Sequence, residues 1–266
     1  MASRSSWSGI RSLAVTIGPS LLLDGVVAVS AWATLTGRAG AAGRGVRLMA
    51  GVISVGPALY LLVRRRWVLA WGATPAEVDE DLPGDEVVPE PVWQSTRAID
   101  IAAPVEAVWP WLVQMGQDRA GLYSYDWLEN LAGLEFRNID RIVPEWQHVA
   151  VGDLVRFAPN QETLVVCQVE SNRCLVWRVL NPATHQVAEG PPGPVWVDAT
   201  WAFVLRQAGP QRSRLIQRFR FGVRPRLLGV LYTALMELPH FVMERRMLAG
   251  IRERAEGSRQ ASVTAR

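Results

Sequence analysis

Residues 99–112 read IDIAAPVEAVWPWL, and the hydrophobic period changes inside them. Upstream, QSTRAIDIAA (94–103) alternates apolar and polar side chains, the period-two pattern of a half-buried strand. Beyond it, Val105, Val108, Leu112 and Met115 recur at helical spacing, and Pro104 suits the first turn. Pro110 lies too deep in that helix to be neutral, because it removes an intrahelical hydrogen bond; a kink or split is expected there. Trp109 and Trp111 are two residues apart and so point to different sides of the helix.

Downstream, YSYDWLENLAG (123–133) reads as a second short helix with Ser124 as N-cap. Strands follow at 153–159, 163–170, 174–180, 199–207 and 213–223, and a further one is sought in GPPGPVWVDATW (190–201). An apolar run, LLGVLYTALMEL (227–238), precedes a helix opening at Pro239, with Phe241, Leu248, Ile251 and Ala255 on one face. Strand, two short helices, antiparallel strands and a long C-terminal helix make an α+β layout.

The chain has 266 residues, 49 % of them hydrophobic, and all 28 basic residues are arginine. Codon bias accounts for that choice more simply than anion recognition does. Charge is segregated. Residues 1–76 hold eight arginines and one acid, Asp24, for a net +7; residues 77–90 hold seven acids and no base. The basic excess sits beside apolar runs without interleaved aromatics, so nucleic acid is not an expected partner. Cys167 and Cys174 lack any Cys/His cluster, which argues against zinc and for packed, reduced thiols. Neither a metal nor a cofactor is expected.

Two apolar runs, 13–35 and 48–63, stand at the head of the chain. The first is long enough to span a bilayer but carries Asp24; the second is short and ends in RRRW, a snorkelling arginine group beside an interfacial tryptophan. They are read as a transmembrane hairpin. Two alternatives stay open: a signal peptide with AVSA (28–31) as cleavage site, or two buried helices of a soluble domain. Arg4, Arg11 and Arg64–Arg66 flank the outside of the pair, against Arg38, Arg44 and Arg47 between the runs. That places both ends, and the C-terminal body, in the cytoplasm of a multi-pass membrane protein. The expected organisation is a membrane-anchoring region (1–72), an acidic Pro-rich linker (73–92), a folded domain (93–256) and a disordered tail (257–266). Residues 90–266 are then expected to fold alone.

The order of elements over 93–256, with the strand running into IAAPVEAVWPWL, resembles the START-like SRPBCC superfamily, the helix-grip fold of lipid-transfer domains and polyketide cyclases. GLYSYDWLENL (121–131) and HFVMERRMLAGIRERAE (240–256) look like segments of an uncharacterised bacterial, membrane-anchored branch. The resemblance implies an antiparallel sheet wrapped around the C-terminal helix, with the two short helices plugging one end of the groove. One of Trp109 and Trp111 then packs on the sheet while the other lines the cavity mouth.

The densest polar and aromatic cluster is QDRAGLYSYDWLEN (117–130). Trp111, Tyr123 and Tyr125 are the candidate walls of the mouth, with Arg119 or Asp126 fixing a polar end. Glu145 and His148 join them from a loop, although a lone histidine more often has a structural role. Arg178, Arg206, Arg218 and Arg220 lie on strands; one turned inward would be the best electrostatic clue to a ligand.

Three functions compete. The first is a membrane-tethered domain binding a hydrophobic small molecule or lipid. The second is a cyclase- or dehydratase-like enzyme using Tyr123, Asp126, Glu145 or His148, although no catalytic motif is recognisable. The third is a regulatory protein-interaction module with 227–238 as its interface. Oligomeric state is left open. The hairpin has a direct check: reporters fused after residues 40 and 80 should lie on opposite sides of the membrane. The same side for both would exclude it.

Overall fold

The computed structural model describes residues 65–131, 133–159, 161–180, 186–187 and 196–264. The proposed hairpin lies outside them. The chain divides into two compact units, Met1–Val68 and Leu69–Arg266, and the second carries the fold.

Six strands form one antiparallel sheet: β1 (Trp93–Ile101), β2 (Leu154–Ala158), β3 (Gln161–Glu170), β4 (Cys174–Val179), β5 (Trp196–Gly209) and β6 (Arg212–Arg224). Their order is β1-β6-β5-β4-β3-β2, so the first strand pairs with the last. Residues 196–201, where a further strand was sought, are the first half of β5. The helices are α1 (Arg65–Leu69), α2 (Pro75–Asp79), α3 (Val105–Val113), α4 (Asp126–Leu131) and α5 (Arg226–Thr264). This α+β arrangement, with a long C-terminal helix against an antiparallel sheet, is that of a helix-grip fold.

Register decides which side chains share a face. Ser95, Phe219, Trp201, Trp177 and Val166 are cross-strand neighbours, and so are Arg97, Gln217, Phe203 and Leu175. These two rows line the inner face, against which α3 and α5 pack. α3 stays one helix through Pro110 rather than splitting. Both of its tryptophans are buried in the core, so neither stands open at a mouth. Likewise α5 passes through Pro239 instead of opening there. The proline leaves the carbonyl of Leu235 without its N–H, but Tyr232 packs on Phe221 on one side of it and Leu248 and Ile251 join the core on the other. Tertiary contact outweighs the local break. α5 also runs on to Thr264, so the expected tail is helical as far as that residue.

The outer face shows the largest departure from expectation. Residues 73–92 do not form a free linker; their acidic run lies against the sheet. Thr74 and Glu77 form a capping box that starts α2. Leu82 packs with Ala98, Cys174, Val204 and Ile216. Gly84, at φ +90°, sits so close to β4 that a Cβ would come within 2.6 Å of Val176. Arg214 holds the Glu77 carboxylate through two 2.8 Å bonds, and Arg206 meets Glu80 at 2.9 Å. Arg218 is buried, and its five donors are all engaged: Thr96 at 3.0 Å, the carbonyls of Glu80 (2.8 Å), Glu77 (2.7 Å) and Val78 (3.0 Å), and the Asp85 carboxylate. The hydrogen bond from Arg214, outweighing burial, lowers the Glu77 pKa to about 2. Its stabilising contribution is therefore present above the ordinary carboxylate value and lost as pH falls toward 2.

A chain starting at residue 90 would strip Arg214 and Arg218 of most of their partners and bare the apolar patch that Leu82 covers, a loss of about 3–5 kcal/mol. The expected outcome is cooperative melting for residues 69–266, and melting about 10 °C lower, or aggregation, for 90–266. Equal melting curves would make the acidic segment a tether after all.

Candidate functional site

Alternation along β1 turns Trp93, Ser95 and Arg97 inward, beneath a face of α5 that carries Tyr232, His240 and Glu244 at intervals of four and eight. These residues form a continuous polar chain. The Tyr232 hydroxyl lies 3.2 Å from His240 Nε2, and His240 Nδ1 lies 3.1 Å from Glu244 Oε1. The other Glu244 oxygen takes a charge-assisted bond from Arg97, which also donates to Ser95 Oγ at 2.8 Å. Arg97 and Glu244 are buried, while the His240 side chain is 20 % exposed.

Burial pushes the Glu244 carboxyl up, but the Arg97 charge and the bond from His240 outweigh it and hold its pKa below the ordinary range. An ionised carboxylate can only accept, so His240 donates to it from Nδ1; in the tautomer with its proton there, Nε2 is the acceptor for Tyr232. Burial, reinforced by the Glu244 charge, raises the Tyr232 pKa, so its hydroxyl remains a donor. Donor, relay, carboxylate and counter-cation are thus in place for acid–base work or for orienting a polar ligand group.

Aromatic rings surround the chain. Trp93 meets His240 edge-on at 4.9 Å, Phe219 lies 5.1 Å from the same imidazole, and Phe221 stacks on Tyr232 at 4.4 Å. Trp201 and Trp177 continue the row. Within this setting several buried polar atoms lack hydrogen-bond partners among the described residues: both amide atoms of Gln217 and the indole N–H groups of Trp93, Trp177 and Trp201. The Gln217 side chain is also among the groups that lower the Glu244 pKa.

The structure does not bring the seven sequence-predicted site residues together. Trp111 and Tyr123 are buried against each other, with ring centroids 5.9 Å apart. The Tyr123 hydroxyl donates to the Trp111 carbonyl and accepts from Gln114, both at 3.0 Å. Its backbone adopts φ +58°, held by a bond to Asn138 and by the Arg254 guanidinium 4.5 Å above the ring. Gly250 of α5 fits against it so closely that a Cβ would fall 2.2 Å from the Tyr123 carbonyl. These contacts make a packing clamp. Arg119 donates to the Trp146 carbonyl at 2.6 Å and so holds the turn Pro144–Trp146. Asp126 accepts from the N–H of Trp127 at the start of α4, Tyr125 is 37 % exposed, and Glu145 and His148 are exposed. Ser124 does not cap α4; its hydroxyl donates to the Met243 carbonyl.

Arg178, Arg206, Arg218 and Arg220 all lie in register with outer-face residues. The inward arginine is Arg97. Its signal was parity, since Arg97 shares a face with Ile99 and Ile101; the HxxxE spacing of His240 and Glu244 was a second one.

No protein family scanned matches the chain, and no curated protein matches it. Several solved structures are similar to part of it. DynU16, a protein of the dynemicin biosynthetic locus, is 14 % identical, with 59 % of this chain and 46 % of that one covered and a TM-score of 0.34. This chain thus spans about half the length of DynU16. A point mutant of Thalictrum norcoclaurine synthase, bound to a transition-state analogue, is 12 % identical, covering 63 % and 96 % with a TM-score of 0.33. The protein jhp0584 from Helicobacter pylori is 13 % identical, covering 66 % and 95 % with a TM-score of 0.40.

Glu129, in the cluster 117–130, is buried and one of its carboxylate oxygens lacks a hydrogen-bond partner. Burial and the neighbouring Asp126 raise its pKa to about 7. A raised carboxyl favours the folded state below the unfolded value and loses that contribution as pH rises through 7. Glu129→Gln should therefore match wild-type stability near pH 5 and exceed it by about 1–3 kcal/mol at pH 8. Parallel denaturant titrations at the two pH values test this; a difference independent of pH would refute the assignment.

Proposed function

We propose that the domain binds a small, largely apolar molecule or lipid between the inner face of the sheet and α5. Its polar group meets Gln217 and the Tyr232–His240–Glu244 chain, and residues 1–72 tether the domain to the membrane from the cytoplasmic side. The observation that carries this reading is the set of unpartnered buried polar atoms inside an aromatic chamber. Each such atom costs about 1–3 kcal/mol, and a cost of that kind is typically retained where a ligand makes use of it. Entry is at the partly exposed edge of His240, where rings yield to the ligand. The tether is supported by the run lengths and arginine flanks of the head.

A second reading is favoured by the relay itself. Tyr232, His240 and Glu244 supply a proton donor, an acceptor and an orienting carboxylate within hydrogen-bond distance. If the protein is an enzyme of cyclase or dehydratase type, these three carry the proton transfers. Tyr123 is engaged in packing, and Glu145 and His148 lie at the surface.

Native mass spectrometry of the gently solubilised full chain should reveal a co-purified apolar molecule. Gln217→Leu is the discriminating variant, since it removes unpartnered polar atoms at nearly constant volume. It should leave stability within about 1 kcal/mol of wild type, relief of buried polarity offsetting the lost support of Glu244, while weakening ligand or hydrophobic-probe binding about tenfold. A variant of near-normal stability that binds unchanged would remove Gln217 from the site. Loss of stability and binding together would make it an ordinary core residue.

A further inference from the structure

The N-terminal half of α5 has two unlike faces. One is pressed onto the sheet through Tyr232, His240 and Glu244, whereas the other exposes Leu227, Leu231, Ala234, Leu238 and Val242. Spacings of four, three, four and four put these five residues in one stripe about 22 Å long. Leu227 is 67 % and Leu231 53 % exposed, more than isolated surface leucines require.

Between residues 226 and 243 the acid is Glu237, and it is buried, so the exposed face carries no carboxylate. Arginines close both ends, Arg224 and Arg226 at one and Arg245 and Arg246 at the other; Glu90 lies 3.8 Å from Arg226 and Glu253 pairs with Arg246 at 2.7 Å, so each end keeps one arginine in excess of these acids. This pattern discriminates between occupants. In self-association, parallel or antiparallel, arginine ends meet arginine ends and like charges repel. An anionic lipid surface satisfies the apolar stripe and both cationic ends together. By length and composition α5 is also apolar enough to cross a membrane. Its other face, however, is fixed to β1 by the Arg97–Glu244 ion pair, so the helix meets a bilayer lying flat.

We infer that this stripe docks the domain on the surface of an anionic membrane, α5 lying in the interface with Leu231 and Leu238 below the headgroups. The inference deepens the proposed membrane association and rests on it for cellular location, but the contact itself does not need the 1–72 tether.

The test uses the full chain with Cys167→Ser and Cys174→Ala, carrying a fluorophore on Leu231→Cys, Leu238→Cys or, as control, Ala208→Cys at the exposed end of β5. Each is mixed with phosphatidylcholine vesicles, with or without phosphatidylglycerol, containing lipids that bear a quencher on the acyl chain. Quenching is expected at 231 and 238, several-fold stronger with phosphatidylglycerol, and none at 208. Arg226→Gln should reduce the preference for anionic lipid about fivefold. Quenching at 231 and 238 no greater than at 208 overturns the proposal. So does shielding of the two labels that grows with protein concentration and ignores lipid, since that identifies a second copy as the occupant. Alkaline extraction separates the two membrane claims: release of the chain from vesicles defeats the tether alone, and lipid-dependent quenching then still supports docking.

Discussion

The Arg97–Glu244 ion pair is the contact on which the inner half of the fold depends. It joins the first strand to a helix 147 residues later, in a setting where either charge alone would be costly. Around it, His240 bonds to Glu244 and Ser95 accepts from Arg97, while the Trp93 ring packs on His240 and the Phe241 ring on Arg97. The pair fixes the rotation of α5 about its own axis. That rotation points Tyr232 and His240 at the sheet and leaves Leu231 and Leu238 outside. The candidate site and the membrane-facing stripe are therefore two results of one constraint.

A second set of ion pairs organises the opposite face. Arg214 and Arg218 would be poor residues for a sheet packed on both sides unless something met their charge. The acidic run 77–90 does so, and Arg218 engages three backbone carbonyls besides the Asp85 carboxylate. Arginine suits this role because its planar fork presents five donors in fixed directions. The opposite charges of strap and sheet thus mark a docking of complementary surfaces. They do not mark a boundary.

Buried polarity is distributed unevenly. On the outer face the donors of Arg218 are matched. On the inner face Gln217 and three indoles are left without partners among the described residues, next to a carboxylate–imidazole–phenol chain. A core built only for stability would place leucine at Gln217.

The alternating strand before Pro104, the helical spacing after it and the five later strand patterns are local properties, so the elements and the α+β class were legible in the sequence. Runs of charge were legible too, but their meaning was not. A row of acids reads the same whether it is solvated or clasped, and only the sheet register brings Arg214 and Arg218 to residues more than 130 positions upstream. Pro239 looked like a helix start because propensity is local, whereas packing on either side of it is not. The site followed the same rule. Trp111, Tyr123 and their neighbours were conspicuous as a cluster in the chain, yet the fold uses Trp111 and Tyr123 as a clamp. Arg97, Gln217, Tyr232, His240 and Glu244 are scattered over three elements and converge because strand pairing sets which residues face α5. Composition and period thus determined what the pieces are; tertiary structure decided which charges meet and which remain without partners, because pairing energy depends on distance in space and not on separation along the chain.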